Sequence, residues 1–519
     1  MACGAVPISP RSGMAAAALV VAAILAAFAG VLSRAEIAGG LSTSDWAAIR
    51  FTILQALLSA AISVVLAVPV ARALARRRFP GRGLVVTLLG APFILPVIVA
   101  VLGLLVVFGR SGWVNAGLDL LGLPGLSIYG LHGVVLAHVF FNLPLATRLL
   151  LQAWQSVPSE RFRLVAQLDL APRALFRAVE WPLLKQVVPG VFALIFVICL
   201  TSFAVALTLG GGPRATTIEL AIYQAFRFDF DLGRAAMLSL LQLVLAGGAA
   251  VLALGLLPSV SPDAGLDRPL QRWDARGGTQ RFADGVSILL ALLFLLGPIL
   301  AVVLRGVAGL AQVPASVWQA AATSLWVAML SVALLMALAL PMAGWIAGRG
   351  RGRVEAIGLL GLSASPLMIG TGWFILINPW ADPQALALPV TALVNAMMAL
   401  PFALRSLVPG IRDVLRDYGR LAATLGLSGW ALWRWLILPR LRPRLGFAAG
   451  LAAALSVGDL GVIALFADPD RATLPLQMYR LMGAYRMEAA AGAALILLSL
   501  ALLVFWVFDR GGRWHHAGT

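Results

Sequence analysis

Asp459 stands in the apolar run 452–466. An ionisable residue in such a run is costly and normally faces a protein interior or a water-filled path. A carboxylate there suits a cationic solute, whose charge it would offset where water is scarce. A hydrogen bond within the bundle, to Ser456 or a backbone group, is the competing reading. His138 and Asn142 are four residues apart and share one helical face. They would either line a path or be satisfied by packed neighbours. Other chemistry is harder to build. Cys3 lies in a terminal tail and Cys199 in an apolar run, so no disulfide and no metal-ligand set is expected. No catalytic triad, clustered metal ligands or paired carboxylates mark an enzyme. A phosphate-binding loop needs Gly-x-x-x-x-Gly-Lys. The only lysine, Lys185, follows Leu183-Leu184 without such glycines, and Gly210-Gly211-Gly212 has no lysine.

The elements that would carry these residues are membrane helices. The chain has 519 residues, 61% hydrophobic and 12% charged, with a mean hydropathy of +0.95. That excludes a soluble protein. The net charge of +17 therefore reads as basic loops on one side of a membrane rather than as a nucleic-acid surface. At roughly 20 apolar residues per crossing, twelve spans are expected, near 14–33, 51–71, 84–108, 131–150, 187–209, 235–257, 286–305, 321–347, 355–378, 387–405, 443–466 and 488–508. The first is read as a retained span, with a cleaved signal peptide as the alternative. With both termini cytoplasmic, the inside segments hold 29 of the 39 basic residues, as the positive-inside rule requires.

A loop occurs twice. Ala166-Gln167-Leu168-Asp169-Leu170 leads through Ala174-Leu175-Phe176-Arg177 to Pro182, and 257 residues later Ala423-Thr424-Leu425-Gly426-Leu427 leads through Ala431-Leu432-Trp433-Arg434 to Pro439. Eight of 19 positions from 166 to 184 are identical to 423–441, and the same offset pairs Arg148 with Arg405. Six spans per half make the halves parallel repeats. We assign 1–257 to a first half and 286–519 to a second, with the Pro-, Gly- and Arg-rich stretch 258–285 as a cytoplasmic linker. Pro182 and Pro439 are expected to end the loop helices. Arg177 and Arg434 would pair with acidic groups on a partner or with lipid headgroups. Pro92 and Pro96, and Pro366, Gly370 and Gly372, interrupt two spans, as beside a substrate path or through ordinary kinking.

The repeated loop resembles the cytoplasmic EAA loop of ABC importer permeases: Ala422, Gly426, Leu436, Leu438 and Pro439 fall on its pattern, as do Val179, Trp181 and Pro182. The chain departs from it where Arg163 and Arg420 replace glutamate and Asp169 replaces glycine. Further segments resemble thiamine ABC transporter permeases: 75–82, 94–101, 136–144, 455–462 and above all Gly210-Gly211-Gly212-Pro213-Arg214 through Ala225. The resemblance implies an all-α membrane protein of about twelve helices, with the MetI-like type I importer permease fold, in a bacterial inner membrane. It implies that Ala166, Asp169, Arg177, Pro182, Ala423, Gly426, Arg434 and Pro439 dock two copies of an ATPase subunit. ATP and Mg would be held there, and no cofactor by this chain. It also implies a periplasmic thiamine-binding protein as partner. The corresponding segments 210–234 and 467–487 would form its platform through Thr217, Glu219, Tyr223, Thr473 and Tyr479, with loop packing as the alternative. The cation suited to Asp459 would then be a thiazolium or aminopyrimidine. A fused permease for ferric iron or another small solute remains the rival, and behind it a proton-coupled secondary carrier.

Overall fold

The computed structural model describes residues 10–35, 40–90, 92, 94–168, 171–210, 212, 215–256, 277–349, 365–466 and 471–513. The first part of the chain forms α1 (Pro10–Arg34), α2 (Thr43–Arg76), α3 (Arg82–Leu88), α4 (Val97–Phe108), α5 (Trp113–Leu120), α6 (Leu131–Gln155), α7 (Ser159–Gln167), α8 (Pro172–Leu175), α9 (Trp181–Leu200), α10 (Ala204–Leu209), α11 (Ile218–Arg227) and α12 (Leu232–Leu256). The second forms α13 (Gly278–Gly309), α14 (Ala315–Arg349), α15 (Pro366–Ile377), α16 (Ala387–Thr424), α17 (Gly429–Leu432), α18 (Leu438–Val457), α19 (Gly461–Phe466), α20 (Leu474–Gly483) and α21 (Met487–Arg513). Helix succeeds helix in the same order, so that α6 matches α16, α9 matches α18 and α11 matches α20.

Eleven helical stretches among the described residues are long and apolar enough to cross a membrane. Twelve crossings were expected. The ninth, 355–378, is represented by the 12-residue α15, and residues 350–364 lie outside those described. Three other expected crossings are not continuous helices. The third splits between α3 and α4 around Pro92 and Pro96. The fifth and eleventh break at 201–203 and 458–460, separating α10 from α9 and α19 from α18. Conversely, Gly370 and Gly372 do not interrupt a helix. They lie inside α15, where a Cβ on Gly372 would overlap the Ala27 carbonyl oxygen of α1. Small residues let two helix backbones approach this closely, and Gly30 repeats the contact from α1, its would-be Cβ 2.6 Å from the Gly372 oxygen.

The two sets of helices are interlaced. α1 packs on α14 and α15 of the other set as well as on α12 of its own, and α13 in the matching way packs on α2 and α4 of the other set and on α21 of its own. An ion cluster fastens the second exchange. Arg76 at the end of α2 and Arg77 just beyond it both reach Asp284 on α13, Arg77 Nε at 2.7 Å. Asp284 falls in the stretch read from sequence as linker. The structure places it in a helix and buries it at 4% exposure. Residues 258–276 of that stretch lie outside the described residues.

Candidate functional site

The helix breaks converge. The segment before α4, the turn 201–203, the start of α15 and the turn 458–460 together line a cavity of about 430 Å³ between the two sets of helices. A broken helix in an apolar medium leaves backbone groups that need partners, and long amides supply them. Gln55 Nε2 donates to the Cys199 carbonyl at 2.9 Å, and Gln242 Nε2 donates to the Leu200 carbonyl at 2.9 Å. The short helices beyond the breaks start on hydroxyls: Thr52 Oγ1 accepts from the Ile218 N–H at 2.9 Å, and Ser324 Oγ accepts from the Leu474 N–H at 2.8 Å.

His138, Asn142 and Asp459 all line this cavity. Ser59 Oγ lies 3.3 Å from His138 Nδ1. His138 Nε2 has no hydrogen-bond partner among the described residues. Asn142 donates to Cys199 Sγ at 3.3 Å. At the positions 257 residues beyond His138 and Cys199, Asn395 Nδ2 donates to Ser456 Oγ at 3.0 Å. Applying the loop's offset to His138 and Cys199 would have found Asn395 and Ser456 from sequence. Asp459 accepts from the Gly461 N–H through Oδ1 at 3.2 Å, and Oδ2 has no partner among the described residues. The hydrogen bond to Ser456 weighed from sequence is instead backbone to backbone, from the Asp459 N–H to the Ser456 carbonyl.

The lining differs in exposure. Leu95, Val205, Leu367 and Leu460 line the cavity and are buried. Gly458 lies against Pro96, so close that a Cβ would meet the ring at 3.0 Å. Ile198, Phe402 and Leu455 also line it and are 37–39% exposed. Phe141 and Leu145 on α6 and Met398 and Phe402 on α16 are lining residues too, and each pair precedes an exposed arginine, Arg148 or Arg405.

The repeated loops follow the arginine-bearing ends of α6 and α16. In the second, Gly426 takes φ +63°. Its N–H donates to the Ala423 carbonyl, and the Leu427 N–H donates to the Ala422 carbonyl at 2.9 Å. This paired bonding around a left-handed residue closes the helix end and explains glycine there. Ala423, Gly426 and Arg434 are exposed, and Arg434 stacks on Trp435. In the first loop Arg177 and Pro182 are exposed and Ala166 lies in α7. Asp169 lies outside the described residues. The prolines do not end the loop helices, as sequence suggested. Helix runs through both, with a π turn at Phe176–Glu180 and again at Trp433–Ile437. A proline clashes with the carbonyl four residues back and offers it no N–H, and the wider turn just before Pro182 and Pro439 relieves both faults. Glu180, fully buried, anchors the first π turn to Arg72 of α2 at 2.7 Å.

No protein-family model matches the chain. Whole-chain relatives do. The chain is 43% identical over 517 residues, 96% of each chain, to the Thiamine transport system permease protein ThiP of Escherichia coli (strain K12). It is 40% identical over 486 residues to that of Brucella abortus (strain 2308), covering 92% of this chain and 89% of the relative. For that of Haemophilus influenzae (strain ATCC 51907 / DSM 11121 / KW20 / Rd) the identity is 34% over 469 residues, 88% and 87%. The chain belongs to the ThiP family of thiamine transport system permeases. The permease's external-segment residues are not where sequence put them. Thr217, Glu219, Tyr223 and Thr473 are buried and Tyr479 is half-buried. Thr217 Oγ1 caps α11 by accepting from the Leu220 N–H, Tyr223 packs on Phe203, and Glu219 lines the cavity. A threonine before an amphipathic helix reads equally as a cap or as a contact, and here capping wins. Exposure at these turns belongs to Phe230 and Tyr485, 80% and 90% accessible, which are also the two non-glycine residues with positive φ among the described residues.

Proposed function

We propose that this chain is the membrane permease of an ATP-driven ABC importer that carries thiamine, with its phosphate esters as further cargo, across a bacterial inner membrane. The observation that carries the reading is identity of up to 43% with thiamine permeases over 96% of the chain, joined to a cavity at the seam of two repeated helix sets. The arginine-rich end is cytoplasmic in this reading, as are both termini. The cavity is then an inward-open stage of the path, closed outside by Leu95, Leu367, Leu460 and the Pro96–Gly458 contact. His138, Asn142 and Asp459 lie along that path.

Two copies of an ATPase subunit dock on the repeated loops, and ATP and Mg reside on them while this chain binds no cofactor. The exposed Arg177 and Arg434 meet acidic groups of those subunits. A push on each loop passes through its π turn directly into α9 or α18, because no break intervenes, and those helices border the chamber. Rocking of one helix set against the other then alternates access. A periplasmic thiamine-binding protein delivers cargo at the opposite face.

The test is uptake of radiolabelled thiamine in a strain lacking its own permease, with the ATPase and binding protein co-expressed. Wild type restores uptake. The Arg177→Glu/Arg434→Glu double variant reaches the membrane yet neither restores uptake nor copurifies with the ATPase. Wild type failing to restore uptake would remove thiamine as cargo. Uptake persisting without any ATPase would remove the importer class.

A further inference from the structure

We infer that Glu219 and Asp459 form one cation-binding site that bridges the two helix sets inside the chamber, and that it holds the thiazolium of the cargo in transit. This rests on the permease reading above and adds to it a resting place with a stated chemistry.

Glu219 was assigned from sequence to an outer surface, yet it is fully buried and lines the chamber. Gln242 Nε2 donates to its Oε1 at 3.1 Å, fixing the carboxylate against α12. The Ser365 hydroxyl also lies near the carboxylate, but Oε2 has no hydrogen bond of good geometry among the described residues. Asp459 has the same arrangement, with one oxygen held by the Gly461 N–H and the other unpartnered. The two acids come from opposite sets, α11 and the α18–α19 turn. A third group points the same way: His138, 4% exposed, lines the chamber with Nε2 unpartnered. Buried Glu219 and His138 and half-buried Asp459 are each tethered through one atom and carry another that is buried and open, which is expensive unless something completes them. No lysine or arginine is among the described residues lining the chamber, and a cation from outside the chain would complete these groups.

The size and surface of the chamber narrow its class. About 430 Å³ lies within the roughly 300–1,000 Å³ typical of small-molecule sites. The walls are largely apolar, with Phe141, Leu145, Phe203 and Phe402 among them. A bare metal ion or ammonium would want more oxygen ligands and fewer rings. A flat organic cation with delocalised charge suits apolar walls and two carboxylates, and His138 Nε2 is then free to meet an amino or ring nitrogen group of the same molecule. Because the acids belong to opposite helix sets, moving the sets apart or together changes their spacing. The site therefore holds its cation in one stage and weakens in another, as passage requires.

The test is equilibrium binding to the permease–ATPase complex in nanodiscs, without nucleotide or binding protein. The probes are radiolabelled thiamine and an isostere whose thiazolium nitrogen is replaced by carbon, leaving the ring neutral. Wild type is expected to prefer thiamine. Glu219→Gln and Asp459→Asn are each expected to weaken thiamine about ten-fold or more, the loss of one charge-assisted contact. The double variant is expected to bind both probes alike, and its retained affinity for the isostere shows that the chamber is intact. Thiamine affinity unchanged in both single variants would overturn the inference. So would wild type that imports thiamine yet binds it no better than the isostere, leaving the permease reading in place. Failure of wild type to import thiamine at all would instead remove the reading beneath it.

Discussion

At the scale of single residues, burial separates what holds the protein together from what it uses. Asp284 is structural. It faces two arginines with its side chain 5% exposed and that of Arg76 6% exposed, and a buried charge that loses its partner costs roughly 3–5 kcal/mol. Asp284→Asn is expected to lower the Tm of the purified permease and to release α13 from α2, read as new protease cleavage near residue 278. Charge reversal at exposed Arg177 and Arg434 should leave Tm unchanged while abolishing uptake. The contrast shows what the sequence could tell. His138, Asn142 and Asp459 stood out because polar groups in apolar runs are costly, and all three lie on one chamber. Glu219 escaped because its neighbours Thr217 and Tyr223 suggested a loop, and only the fold shows that α11 turns back into the bundle. Asp284 escaped because a polar, Pro- and Gly-rich stretch precedes it.

At the scale of elements, the broken helices and the π turns are the working parts, and neither was fully legible. The apolar run from Phe192 to Leu209 is interrupted only by Thr201-Ser202 and Thr208, residues a membrane helix tolerates, so the turn at 201–203 leaves only a faint trace in hydropathy. The break exists because distant Gln55 and Gln242 take up the carbonyls it frees, a partnership that only the assembled bundle supplies. The π turns were hidden for a related reason. A proline after a helix reads as a stop, and its accommodation by a wider turn depends on the neighbours that hold that turn, as Arg72 holds Glu180. Pro182→Ala and Pro439→Ala restore the missing N–H and allow each π turn to tighten to α, rotating the loop relative to the span behind it. We expect the double variant to retain most ATP hydrolysis in the complex while thiamine uptake falls at least several-fold. Equal loss of both activities would mean that the loops are docking sites only.

At the scale of the whole molecule, the duplication is plain in the repeated loop and fainter elsewhere, since only contacts common to both halves keep their spacing. Phe230 and Tyr485 recur at equivalent turns with the same positive φ, a conformation that costs a bulky residue of order 1–3 kcal/mol and persists where surroundings enforce it. Two exposed aromatics fixed at matching turns suit a two-lobed partner. Phe230→Ala and Tyr485→Ala together are expected to reduce ATP hydrolysis stimulated by the loaded binding protein at least ten-fold, without altering the unstimulated rate. The interlacing of α1 with α14 and α15 bears on how the chain is made. α1 ends at Arg34 and α14 begins at Ala315. At about 5–20 residues per second, the ~280 residues between them take on the order of 15–60 s to synthesise. For that interval α1 has only α12 of its own set to pack on, and its Gly30 seam, whose partner is Gly372, faces lipid. Biogenesis therefore passes through a stage with α1 half-packed, and a nascent chain stalled before α14 has no route to a finished first half.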